Sequence, residues 1–151
     1  MNYIHPKAEI DKNVKLGDNV SIWANAVLRA DEGPIVIGNN TSIQESVVIH
    51  GYGTTIGNNV TVGHAAVIHG ARIGSNVIIG INSTILDGVE IGDWVIVGAG
   101  TVLTPNTKVK SNTLVAGVPG KVIRELKDTD KQYIEYAYKS YLKHIKEKSG
   151  K

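Results

Sequence analysis

The chain of 151 residues contains no cysteine and no phenylalanine. Lacking cysteine, it has neither disulfides nor thiolate chemistry, and its composition fits a reducing compartment. Aromatic residues make up only 5% of the chain, so the core has to be filled by small aliphatic side chains rather than by rings. No apolar run reaches the ~20 residues that cross a bilayer. The opening segment MNYIHPKAEI has no signal-peptide pattern, and a cytoplasmic protein without a membrane partner is expected. No cluster of basic and aromatic residues marks a nucleic-acid surface. The formal net charge of +2 is unevenly spread: residues 1–120 carry 7 Lys/Arg against 9 Asp/Glu, net −2, and residues 121–151 carry 9 against 5, net +4. The basic end reads as the solvated face of a helix, and no nucleic-acid partner is expected.

What the chain has in their place is glycine, valine, isoleucine and a short repeat. Aliphatic residues recur six apart, through Ile4, Ile10, Leu16, Ile22 and Leu28, then Ile37, Ile43 and Ile49, then Ile56, Val62 and Ile68, and from Ile73 onward to Val115. Small or β-branched residues such as Val20, Ala26, Val47 and Ala66 follow four positions later. Gly17, Gly38, Gly57, Gly74 and Gly92 come after every third aliphatic, and Asn19, Asn40, Asn59 and Asn76 come two residues after the first four of these. Both residue types tolerate positive φ, which predicts sharp corners there. The unit is then a coil of about 18 residues with three short strands and three corners, and about six coils fit between Ile4 and Val115. Stacked coils pair each strand with the one above at ~4.7–4.9 Å. A β-sandwich would need hairpin signals and period-two alternation, and neither is present.

This solenoid is expected over residues 1–120. Residues 121–151 are expected to form a linker and an amphipathic helix packed on the solenoid. The helix is placed at about 129–147 by the apolar spacing of Tyr133, Ile134, Ala137, Tyr138, Tyr141, Leu142 and Ile145. Thr129 and Gln132 suit a capping box at its start, and the tyrosine stripe reads as packing.

The repeat also places the histidines. His50 and His69 each follow the aliphatic of the same rung class one coil apart, and Arg29 takes that place one coil earlier. An outward-pointing column is expected, in which two imidazoles at strand spacing can share one metal ion. His64 falls around a corner on another face, where its own chain cannot bring it to that pair. A neighbouring copy can, if three prisms pack about a threefold axis. A homotrimer is therefore expected, with a metal site at each subunit interface and His50, His64 and His69 as ligands. His5 and His144 lie at the chain start and on the helix, and read as non-ligands. Glu45 lies one coil below His64, with Gln44 beside it, and Asp31 and Glu32 occupy the longest insertion, RADEGPIV. Arg29 and Asp31 suit a partly buried inter-chain ion pair.

The repeat over about residues 4–120 resembles the hexapeptide-repeat family. Within it, VLRADEG, SIQE, VVIHG and VTVGHAAVIHG resemble the γ-class carbonic anhydrases. The resemblance implies an all-β fold, a left-handed parallel β-helix, although the general preference for right-handed crossovers favours the other hand. It implies that His50, His64 and His69 hold zinc, iron or cobalt, two from one subunit and one from the next, with Arg29 and Asp31 as an inter-subunit pair. It further implies that Gln44, beside Glu45, orients metal-bound solvent and that Glu32 shuttles protons, in the reversible hydration of carbon dioxide to bicarbonate by a metal-bound hydroxide. No organic cofactor is implied. Three departures bear on turnover: Glu45 stands where the family carries aspartate, Ser42 replaces an asparagine, and GYGTT stands where the most active members have an acidic loop. The segment VAGVPGKVIREL also occurs in CoA-dependent hexapeptide acyltransferases, which use a single histidine as general base. Such a transferase and a non-catalytic metal-binding trimer are the alternatives.

Overall fold

Each coil contributes one short strand, mostly of two or three residues, to each of three sheets, and the computed structural model describes residues 1–150 in this arrangement. Lys151, at the end of the helical segment, lies outside the described residues. Equivalent strands of successive coils pair in parallel. Ile22 stands opposite Ile43, Ile43 opposite Val62, Val62 opposite Ile79, Ile79 opposite Val97 and Val97 opposite Val115. The six-residue periodicity is therefore a ladder viewed along the chain. These side chains are 0–1% exposed, so the interior of the prism is a set of aliphatic columns without an aromatic among them. Three sheets result. The helix-side sheet has eight strands, from Tyr3–Ile4 to Gly120–Glu125, and two sheets of six run from Glu9–Ile10 to Val102–Leu103 and from Val14–Leu16 to Lys108–Val109. The sheet beginning at Glu9–Ile10 is called the histidine sheet below.

The corners divide the work expected of Gly and Asn. Asn19, Asn40, Asn59 and Asn76 do lie at φ of 57° to 58°, and their side chains form a ladder in which each Nδ2 donates to the next Oδ1 at 3.3, 3.0 and 3.0 Å. Trp94 takes the next rung at φ 55°. Its ring packs against Ile78, Leu126 and Ile134 under the helix, and Asn112 Oδ1, the acceptor the missing donor would reach, is buried without a partner. The five repeat glycines, by contrast, are not at positive φ. They are glycine because the coils approach too closely for a side chain: a Cβ at Gly38 would overlap the Asn58 side chain, whose Oδ1 accepts the Asn39 N–H at 2.8 Å.

The stretch read as a linker from residue 121 begins as a strand. Gly120–Glu125 pairs antiparallel with Thr113–Gly117. Helix α1 then spans Asp128–Ser149, one residue earlier and two later than its expected bounds. Thr129 and Gln132 do not cap it. Asp130 accepts the Lys127 N–H at 2.7 Å and also binds Arg124 of the preceding strand at 2.6 and 3.1 Å, which draws the first turn back toward the hairpin. From there α1 runs back along the helix-side sheet. Leu126 and Ile134 pack on Ile78 of a later coil, while the Tyr141 and His144 rings lie 5.7 and 6.3 Å from Trp23 near the first coil. Among the described residues no helix is long and apolar enough to cross a membrane.

Candidate metal centre

The outward face of the histidine sheet carries a ladder of Val27, Val48, Val67, Thr84 and Val102. Along the far ends of its strands the side chains become polar. His50 and His69 stand directly opposite each other in the parallel ladder. Their rings meet edge to face with centroids 5.1 Å apart, and His50 Nδ1 lies 3.2 Å from His69 Nε2. Arg29 completes the column, with Nη2 2.9 Å from His50 Nε2. A shallow cleft of about 160 Å³ is lined by these three residues and by Val27, Val48 and Val67.

Carboxylates crowd the column. Asp31 Oδ1 is 3.0 Å from His50 Nε2 and 3.2 Å from Arg29 Nε, and Glu32 Oε2 is 3.8 Å from His50 Nε2. Arg29 and Asp31 thus pair within the one chain. Partial desolvation works to raise the Asp31 pKa, but the His50 hydrogen bond and the Arg29 charge outweigh it and hold the carboxyl below its ordinary value.

His64 sits elsewhere, at the corner where the helix-side sheet turns into the histidine sheet. Its Nδ1 lies 3.1 Å from Glu45 Oε1, the neighbour that the coil spacing of the two residues requires. His64 and Gln44 line a larger cleft of about 450 Å³ between α1 and the prism, walled by Tyr133, Tyr136 and Tyr141. Gln44 is 7% exposed. One chain therefore assembles His50 with His69 and keeps His64 on the opposite edge of the same sheet. Among the described residues no group of three or more His, Cys, Asp or Glu side chains is disposed to hold a metal ion. His5 accepts the Lys7 N–H at 3.0 Å, and His144 lies against Trp23 and Glu147.

Two residues at these sites escaped the sequence reading. Asp87 Oδ1 accepts from His69 Nδ1 at 2.7 Å. Tyr141, read as packing, also faces the larger cleft, where burial and the Glu45 charge raise its pKa and a hydrogen bond from Gln44 partly offsets them. A position-two rule for the column could not find Asp87, which follows two residues after Ile85 rather than one.

The donor set suits a borderline divalent ion. Two nitrogens bound at 2.0–2.1 Å to a tetrahedral zinc lie about 3.3 Å apart, and the His50–His69 nitrogen separation is 3.2 Å. Asp87 occupies His69 Nδ1, which fixes Nε2 of that ring as the free nitrogen, and Glu45 lies 3.1 Å from His64 Nδ1.

Comparisons with known proteins agree with this reading of the fold. Residues 70–105 match the family described as bacterial transferase hexapeptide (six repeats). A "probable carbonic anhydrase" of Methanocaldococcus jannaschii is 46% identical over 139 residues, 90% of this chain and 87% of the relative. The mitochondrial gamma carbonic anhydrase 2 of Arabidopsis thaliana is 35% identical over 149 residues, and the chain spans only 54% of its length. The crystal structure of a hexapeptide transferase family protein from Anaplasma phagocytophilum superposes with a TM-score of 0.84 at 33% identity, covering 93% of this chain and 89% of that one. Its left-handed β-helix, its paired histidines and its relatives make this chain a γ-class carbonic anhydrase-like member of the hexapeptide-repeat family.

Proposed function

We propose that the chain catalyses the reversible hydration of carbon dioxide at a divalent-metal site shared between neighbouring subunits of a homotrimer. The observation that carries this reading is the 3.2 Å separation of His50 Nδ1 and His69 Nε2, on one edge of a sheet whose other edge presents His64. Three copies arranged head to tail around the valine ladder would bring the His64 edge of each to the His50–His69 edge of the next. Val48, at 38% exposed, lies in the middle of that face.

His50, His69 and a neighbour's His64 would hold zinc, iron or cobalt. A metal ion held by three neutral imidazoles would act as a Lewis acid and lower the pKa of water to about 7. The rest is done by the chain. Glu45, 3.1 Å from His64 Nδ1, would accept a hydrogen bond from that nitrogen's proton and leave Nε2 for the metal. Asp31 and Arg29 both meet His50 at Nε2, at 3.0 and 2.9 Å, while Nδ1 is the nitrogen that faces His69. Gln44, buried at the foot of the larger cleft beside Tyr141, presents a carboxamide that can orient solvent or substrate without taking up a proton. Glu32 reaches from the His50 neighbourhood to solvent, its side chain 44% exposed, and is placed to carry the product proton away.

Metal analysis of purified wild type and His69→Ala tests the ligand set, and stopped-flow carbon dioxide hydration on anaerobically prepared, metal-loaded protein tests the activity. Equal metal content in the two proteins would remove the reading. The rival reading is a CoA-dependent transferase, favoured by the family match over residues 70–105. Such an enzyme needs one histidine base and no stacked pair, and acetyl-CoA binding at micromolar affinity in calorimetry would promote it.

A further inference from the structure

We propose that Asp87 is a positioning residue for the metal centre: its carboxylate fixes the His69 ring so that Nε2 is presented toward His50. The proposal rests on the metal-site reading above and adds to it a residue outside the ligand set.

The contact is short and directional. His69 Nδ1 donates to Asp87 Oδ1 at 2.7 Å, and among the described residues His69 is the only side-chain partner of that carboxylate. With the proton on Nδ1, the lone pair of His69 belongs to Nε2, the nitrogen that faces His50. The backbone makes room for this arrangement. Gly70, directly after His69, lies at φ +64°, and a Cβ there would overlap Asp87 Oδ1. The corner is held from both sides, since the Gly70 N–H bonds the His50 carbonyl and the Gly88 N–H bonds the Gly70 carbonyl, each at 2.9 Å. The carboxylate therefore sits in space that only a glycine at position 70 leaves open, and it arrives from the adjacent coil rather than from a flexible loop. Glu45 takes the same place on His64 Nδ1, also from the adjacent coil. Glu90, three residues beyond Asp87, differs in its partner and not in its exposure: it faces Lys108 at 3.8 Å with its side chain 49% exposed, against 57% for Asp87.

A carboxylate on the far nitrogen of a metal-bound histidine fixes its tautomer and orientation, and losing it costs about 10–100-fold in metal affinity. The test is the zinc dissociation constant, measured on the full-length chain against a competing chromogenic chelator. Asp87→Ala is expected to weaken zinc about 10–100-fold. Asp87→Asn, which keeps an acceptor oxygen of the same shape, is expected to fall between Asp87→Ala and wild type, and Glu90→Gln to match wild type. The visible absorption bands of the cobalt-loaded protein should shift in Asp87→Asn, while the thermal unfolding midpoint of its metal-free form stays with wild type. An affinity of Asp87→Ala and Asp87→Asn within twofold of wild type, with zinc binding abolished in His69→Ala, overturns the role of Asp87 and leaves the metal site standing. Zinc retained in His69→Ala overturns both.

Discussion

His50 and His69 are directly opposite each other on neighbouring parallel strands, with Nδ1 of one 3.2 Å from Nε2 of the other. Parallel pairing at the β-ladder spacing brings the two rings together, and the chain supplies the partners that orient them. Nothing in the prism brings a third imidazole to the pair. His64 is held by Glu45 at the other edge of the sheet, so completing a three-histidine site requires a second copy.

The valine face should therefore set the oligomeric state. Val48 is 38% exposed in the single chain, so Val48→Glu removes little intramolecular packing. Sedimentation is expected to give three times the chain mass for wild type and a monomer for Val48→Glu, with zinc lost alongside the trimer. A trimeric Val48→Glu would place the interface on another face.

The interior columns carry most of the stability. Ile68 is fully buried between Ile49 and Ile85, so Ile68→Ala leaves a cavity that neighbouring coils cannot collapse into. Chemical denaturation should show a loss of about 2–5 kcal/mol.

The asparagine ladder separates two contributions. Asn59 accepts from Asn40 and donates to Asn76, each at 3.0 Å, at φ 57°. Asn59→Gly removes the ladder bonds alone, at a cost of about 1–3 kcal/mol. Asn59→Ala adds a Cβ in the left-handed region, and should be less stable again by about 1 kcal/mol. Equal stability of the two variants would mean that the backbone conformation contributes nothing.

Acid should loosen the start of the helix. The hydrogen bond from Arg124 and that from the Lys127 N–H lower the Asp130 pKa from 3.8 to about 2. A pKa depressed in the folded state stabilises fully above the unfolded value and is lost as pH falls through the folded one. Wild type should thus lose thermal stability between pH 3.8 and about 2 more steeply than Asp130→Asn, whose midpoint is lower at neutral pH.

The columns were legible because a fixed period converts sequence position into place. Once Ile49 and Ile68 were aligned, His50 and His69 had to meet, and Glu45 had to lie next to His64. The period says nothing where a side chain crosses from its own column to another. Asp87 reaches His69 past the bare Cα of Gly70, a three-dimensional fact with no trace in the spacing. The strand Gly120–Glu125 was missed for a related reason. It pairs antiparallel at the end of a sheet, and Val122 and Ile123, 54% and 58% exposed, follow neither the six-residue nor the two-residue pattern. Thr129 and Gln132 matched a capping motif, but the Arg124 guanidinium, close only after the hairpin folds, gives that role to Asp130. The corner glycines were identified correctly as necessary, although close coil contact, not positive φ, is what requires them.

Mixing two inactive variants asks most directly whether neighbouring subunits share one ion. His64→Ala and the double variant His50→Ala/His69→Ala should each bind no zinc at the interface when prepared alone. Co-refolded, they should form mixed trimers with one intact interface each, and zinc and carbon dioxide hydration should both return. Zinc bound stoichiometrically by either variant on its own, or mixed trimers that stay metal-free, would contradict a site built from two chains.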